Sequence, residues 1–212
     1  MRVDLPPAPP GIAALPLDNR GFPIPWFVHV DENGPDFRIL GAGKMGAAVR
    51  KQLCWICGRH LGRLKSFVIG PMCSVNRISA EPPSHPQCAV YAAQACPFLS
   101  HPMAKRPDRP TTVAVKQPAG IMLEHNPGVT LVWGTLSYRT IQANGGVLFQ
   151  LGAPERTQWF AHGREATADE VLAGFALGLP RLRAIAEAEG PEAVAELAQA
   201  LSRAMHLLPK AA

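Results

Sequence analysis

Cys54-Trp55-Ile56-Cys57-Gly58, answered downstream by Ser84-His85-Pro86-Gln87-Cys88-Ala89, decides how the rest of the chain is read. Two cysteines separated by two residues present both sulfurs to one ion from a tight knuckle. Gly58 removes the steric cost of the reversed turn that follows. His85 and Cys88 repeat the separation. Cys88 precedes residues 89–94, a run able to form a helix, so it falls in a first turn, where free amides and the helix dipole favour a thiolate. Between the two pairs, residues 66–69 are able to return as a strand. The spacing predicts one structural zinc ion held by Cys54, Cys57, His85 and Cys88.

Two cysteines remain. Cys73 follows Gly70-Pro71-Met72 and Cys96 precedes Pro97; each is either a buried apolar thiol or an alternate ligand. Cysteine followed by proline occurs in ferredoxin-like ligation, so an iron–sulfur cluster on Cys54, Cys57, Cys88 and either Cys73 or Cys96 stays open, although the clustered bacterial ferredoxin repeat is absent. His85 is near enough in sequence to act as a base for Cys88, yet with Cys54 and Cys57 at hand metal ligation is the more economical account. A hydrolytic zinc site would need an open coordination position and a nearby acid. Glu81, with Asn76 and Arg77, is the polar candidate, and no residue is assigned a catalytic role.

The wider composition agrees with a metal-stapled globular chain. The 212 residues suffice to bury roughly 70% of the unfolded surface, and 47% hydrophobic against 17% charged residues exclude a disordered composition. Residues 1–7 run into acid and proline before any apolar stretch of leader length, so no signal segment is expected. No stretch approaches the about 18 apolar residues of a membrane span. Five cysteines without a leader argue against a disulfide framework, so the chain is expected to be soluble and cytoplasmic. The 22 prolines crowd into residues 1–35 and 71–118, where they rule out long central strands and long helices.

Three textures follow one another: a proline-rich N-terminal arm at 1–35, a basic zinc-binding region at 36–118, and an α+β region with C-terminal helices at 119–212. In the arm, residues 24–30 carry Trp26 and Phe27 and are expected to lie extended across the core. In the last region, 120–123, 129–133, 136–141, 147–151 and 157–161 read as strands, with Asn144-Gly145-Gly146 a turn, in a meander-like antiparallel sheet. Thr167 with Glu170 forms a capping box. Pro180 and Pro191 suit first-turn positions, predicting short helices from about 181 and 192. Val194, Leu197, Leu201, Met205 and Leu208 then make one apolar stripe, read as core packing rather than a dimer seam. The fold class is α+β: a zinc-stapled irregular region, an antiparallel sheet, then C-terminal helices.

Residues 37–50 spell a literal GxGxxG at Gly41, Gly43 and Gly46. A dinucleotide turn would need a second strand ending in an acid about 20 residues on. A CxxC and basic side chains stand there instead, so the stretch reads as a loop entering a short helix that presents Arg50 and Lys51. A phosphate loop also fails, since Met45 follows Lys44. Charge gives the remaining clue. Between Phe37 and Pro107 every acid but Glu81 is missing, whereas basic residues recur throughout, so the net charge of +5 is polarised toward the metal region. Arg50, Lys51, Arg59, Arg63, Lys65 and Arg77 are the candidate anion-binding residues. A positive face around a zinc knuckle suits the phosphate backbone of DNA or RNA, and a protein partner or plain solvation are the alternatives.

Knuckle, strand and ligand-bearing helix start together resemble the treble-clef group of zinc sites, over a small part of the chain. Residues 53–99, with Gly70-Pro71-Met72-Cys73, Glu81-Pro82-Pro83-Ser84-His85 and Cys96-Pro97-Phe98-Leu99, resemble an uncharacterised bacterial and phage-associated protein family. That resemblance implies no activity, so the metal reading rests on ligand chemistry.

Overall fold

The computed structural model describes residues 6–101, 126–143 and 146–210. The strand expected at 120–123, the boundary at 118, and Asn144 and Gly145 of the expected turn lie outside them. The described chain is α+β and its strands pair antiparallel. In order it forms α1 (Pro10–Ala13), β1 (Val28–Asp31), β2 (Gly34–Leu40), α2 (Lys44–Lys51), β3 (Lys65–Ile69), α3 (Pro71–Asn76) and β4 (Ile78–Ser79). There follow α4 (Pro86–Ala95), α5 (Pro97–Ser100), β5 (Thr130–Thr135), β6 (Tyr138–Ala143), β7 (Gly146–Leu151), β8 (Arg156–Ala161), β9 (Arg164–Glu165), α6 (Ala168–Glu189) and α7 (Pro191–Met205).

Proline begins α1, α3, α4, α5 and α7. At a first-turn position its missing N–H is no loss and its fixed φ is already helical. The proline-rich middle is therefore less irregular than its composition suggests, although its helices stay short.

Two expectations about the second half need correction. The strands do not form a single meander: β5 lies between β3 and β8, while β6 and β7 fold away as a hairpin beside β4 in a second sheet. Alternation marks a strand and its buried face, but not which strand fills the neighbouring edge. Nor does a new helix begin after Pro180, since α6 runs through it. The interruption costs about 3 kcal/mol, and packing on its N-terminal side outweighs that. A Cβ on Gly174 would come within 2.5 Å of Val129 and one on Gly178 within 2.5 Å of Met72, so α6 lies tight against its neighbours.

β5 is buried along its whole length. Its sheet turns Phe67, Ile69, Leu131, Trp133 and Trp159 into the main core, shared with Phe149 of the second sheet and Val171 and Phe175 of α6. The opposite face sets Val132 and Phe160 against Ala89 and Ala93 of α4. This second contact positions the site, because α4 carries the downstream ligand pair at its start. The stripe joins the main core through Leu197, Leu201 and Met205 of α7 and Leu208 just past its end, with Val194 exposed at its beginning. The capping box is present: the Glu170 amide donates to Thr167 Oγ1 and the Thr167 amide to Glu170 Oε2.

The N-terminal segment is more structured than an extended arm. β1 and β2 form a hairpin that turns at Gly34, whose φ of +99° favours glycine.

Candidate metal centre

The upstream half of the site is a knuckle closed by its own backbone. The Gly58 amide donates to the Cys54 carbonyl, and the Cys54 amide to the Arg59 carbonyl. The Cys57 amide points at Cys54 Sγ, 3.5 Å away. Gly58 has φ +71°, and a Cβ there would stand 2.5 Å from the Trp26 ring. Only glycine meets both demands.

The downstream half is delivered by β3 and α4. Ser66 and Ser84 exchange a pair of backbone hydrogen bonds, which clamps the chain before His85 to the sheet edge. The Trp55 amide donates to the Pro83 carbonyl and ties the knuckle to the same segment. His85 is the N-cap of α4 and Cys88 lies in its first turn, so the helix begins earlier than residues 89–94 alone suggest. The His85 amide donates to Cys54 Sγ at 3.4 Å.

As a result, ligand atoms of Cys54, Cys57, His85 and Cys88 all lie within 4.8 Å of one another. His85 Nδ1 is 3.4 Å from Cys57 Sγ and 3.8 Å from Cys88 Sγ. Ligand bonds of about 2.0–2.3 Å set tetrahedral edges of roughly 3.5–3.8 Å, and the two separations from His85 Nδ1 lie close to them. His85 Nε2–H donates to the His60 carbonyl at 2.8 Å. That bond turns Nδ1 toward the sulfurs, the arrangement in which a carbonyl on the far nitrogen orients a metal-binding imidazole.

Crowding three sulfurs separates their proton affinities. The Cys54 thiol is pushed down to about 4, chiefly because Cys88 donates to it, with help from the Cys57 and His85 amides. The same contact, seen from the donor, pushes Cys88 up, and burial pushes up Cys57. A divalent ion would displace the remaining protons and be held by three thiolates and a neutral imidazole.

Cys73 packs against the main core, and burial raises its thiol, with the Glu81 charge adding to the effect. Cys96 sits at the junction of α4 and α5. Among the described residues neither joins the four-residue cluster, and no disulfide links any of the five cysteines. The polar candidates for hydrolysis are otherwise engaged. Asn76 Oδ1 accepts from the Ile78 amide, Arg77 lies over the Trp133 ring, and the exposed Glu81 is tied to Ser79 by its backbone.

The six basic candidates divide. Lys65 Nζ donates to the Gly62 and Arg63 carbonyls, and Arg77 is drawn over Trp133. Arg50, Lys51, Arg59 and Arg63 are exposed. Among the described residues these four make no ion pair. The Leu61 amide donates to the Gln52 carbonyl, and Leu53 bridges His60, so the segment bearing Arg59 and Arg63 runs beside the one bearing Arg50 and Lys51.

The sequence did not reveal what covers the knuckle. Ile12 of α1 packs on the cysteines, and a Cβ on Gly11 would stand 3.0 Å from Cys57 Sγ. Phe27 stacks on Trp55 at 4.8 Å, while Trp26 lies against Gly58 and its amide donates to the Ile56 carbonyl. The aromatic pair at 26–27 was the available signal, but nothing local named its partner.

The residues thus define a closed four-ligand cysteine and histidine cluster able to hold a metal ion. Compared with family models, with curated proteins and with solved structures, the chain matches none. Among the described residues no helix is long and apolar enough to cross a membrane.

Proposed function

We propose that the cluster holds zinc as a structural staple, and that the exposed basic surface beside it binds the phosphate backbone of nucleic acid. The observation that carries the metal half is closure. Four protein ligands surround one point, three of them buried sulfurs, with Cys54 Sγ taking backbone hydrogen bonds, which leaves no position for a reacting water. A nitrogen ligand oriented by a carbonyl favours zinc over an iron–sulfur cluster. Knuckle, returning strand and ligand-bearing helix start support the treble-clef resemblance. Five cysteines without a disulfide among them suit a reducing, cytoplasmic setting.

The binding half rests on four exposed cations without acidic partners among the described residues, carried on adjoining segments next to the knuckle. Such groups contact phosphate rather than base edges, so affinity depends steeply on salt and little on sequence. The test is metal analysis of untagged protein followed by salt titrations against single-stranded DNA, duplex DNA and RNA. One zinc per chain and no visible absorption are expected. Arg59→Glu with Arg63→Glu is expected to weaken binding alike across sequences and to leave zinc in place. The salt slope should fall by about one unit for each phosphate no longer neutralised. Stoichiometric iron and sulfide would overturn the metal reading, and failure of all three polymers to bind at low salt would overturn the nucleic-acid reading in favour of a protein partner.

A further inference from the structure

Past its acidic first turn, α6 is at first apolar on every side. From Val171 to Pro180 no polar or charged side chain interrupts it. One face, with Val171, Gly174, Phe175 and Gly178, is buried. The opposite face carries Leu172, Ala173, Ala176, Leu177 and Pro180, all exposed, with Leu177 64% and Leu172 43% open. A helix apolar all round is ordinarily a buried helix, and the described residues leave this face uncovered.

The exposed stripe continues past its apolar part. Asp169, Ala173, Ala176, Pro180, Arg183 and Glu187 recur at alternating spacings of four and three, so they share one side of the helix, with charged residues at its ends and small or apolar ones between. Asp169 and Arg183 stand equally far on either side of Ala176, and both are exposed. Among the described residues neither has an ion-pair partner. If two copies of α6 cross antiparallel on a two-fold axis at Ala176, each Asp169 meets the other copy's Arg183. The small Ala173 and Ala176 allow close approach, and Leu172 and Leu177 fill the flanks. The face is therefore self-complementary in charge as well as in hydrophobicity, which is the requirement of an isologous interface.

We propose that the exposed face of α6 is the interface of a symmetric homodimer, closed by antiparallel α6 packing and by reciprocal Asp169–Arg183 pairs. This goes beyond the metal and nucleic-acid readings and depends on neither.

Sedimentation equilibrium of the full chain as purified tests it across the micromolar range. A reversible monomer–dimer equilibrium is expected. Leu177→Glu is expected to weaken it by about a hundredfold or more, since one charge per copy enters the seam, with an unchanged circular dichroism spectrum. Asp169→Arg and Arg183→Asp are each expected to weaken it severalfold by placing like charges opposite each other. The double exchange is expected to restore dimerisation, which mere destabilisation would not do. A chain that stays monomeric throughout, a dimer indifferent to Leu177→Glu, or a double exchange no tighter than the single ones would each overturn the proposal. A monomer that loses folding stability on Leu177→Glu would also overturn it, and would show that the chain covers this face itself.

Discussion

The knuckle and the sheet–helix core are two hydrophobic clusters built on opposite terms. Among the described residues the main core collects fourteen buried ones, including Trp133, Phe149, Trp159 and Phe175, from two sheets and three helices. The cluster beneath the knuckle has five, and three of those are Cys54, Cys57 and Cys88. Apolar burial at about 25 cal/mol per Å² can sustain the first without help. The second is smaller and draws three of its five buried members from thiols, which repel one another once ionised. The difference teaches where a metal held as proposed would matter most: in the half with the smaller apolar cluster, because binding free energy there is folding free energy.

The sharpest way to break that contrast is to remove a ligand. Cys54→Ser, or chelation of the wild type, is expected to release the metal at a local cost on the order of 10 kcal/mol. Hydrogen exchange would then show lost amide protection around Ile12, Ile56 and Ala92, with Leu131 and Phe149 still protected. Full protection near Ile56 in the metal-free protein would mean the knuckle holds itself. Cys73→Ser and Cys96→Ser provide the control, since metal content is expected to be unchanged in both.

The reciprocal experiment truncates the main core. Trp133 is fully buried, and its indole donates to the Gly152 carbonyl. Trp133→Ala should cost about 3–5 kcal/mol in denaturant unfolding, while metal stoichiometry measured under native conditions stays the same. Metal loss at low denaturant in this variant would show that the two halves fold as one unit through α4.

A smaller effect, confined to the knuckle, is expected from Gly58→Ala. The substitution places a Cβ against Trp26 at positive φ, at a cost of about 1–3 kcal/mol. Competition with a chelator should reveal it as weaker metal retention; an affinity equal to wild type would mean that the Trp26 cover moves freely.

The smallest predicted change lies far from the metal, at the α6 cap. Thr167→Ala should cost about 1 kcal/mol. The Arg164 guanidinium, with the Thr167 amide, holds Glu170 at about 2, well below its ordinary 4.5. A carboxylate depressed by folding contributes stability above its unfolded value, and loses it as pH falls from about 4.5 toward 2. Glu170→Gln should therefore flatten the acid limb of the stability–pH curve, and an unaltered limb would show that the pair with Arg164 is not formed in solution.

The local text by itself determined several features of this protein. The two-residue spacings of Cys54 with Cys57 and of His85 with Cys88 named the cluster, because ligand spacing within a knuckle or a first helical turn is a backbone matter. Thr167 and Glu170 named their cap for the same reason. The prolines at positions 71, 86 and 97 were legible as breaks but not as helix starts, since one residue type serves both. Only the tertiary structure decided that β5 pairs with β3 rather than with β6, and that α6 continues through Pro180 under the packing of Gly174 and Gly178. It also decided that Ile12, Trp26 and Phe27 roof the knuckle, and that Lys65 and Arg77 are drawn away from the basic surface. Each of these outcomes is a choice among partners distant in sequence. Such choices depend on which faces compete for burial, and that competition has no period or spacing for a sequence to display.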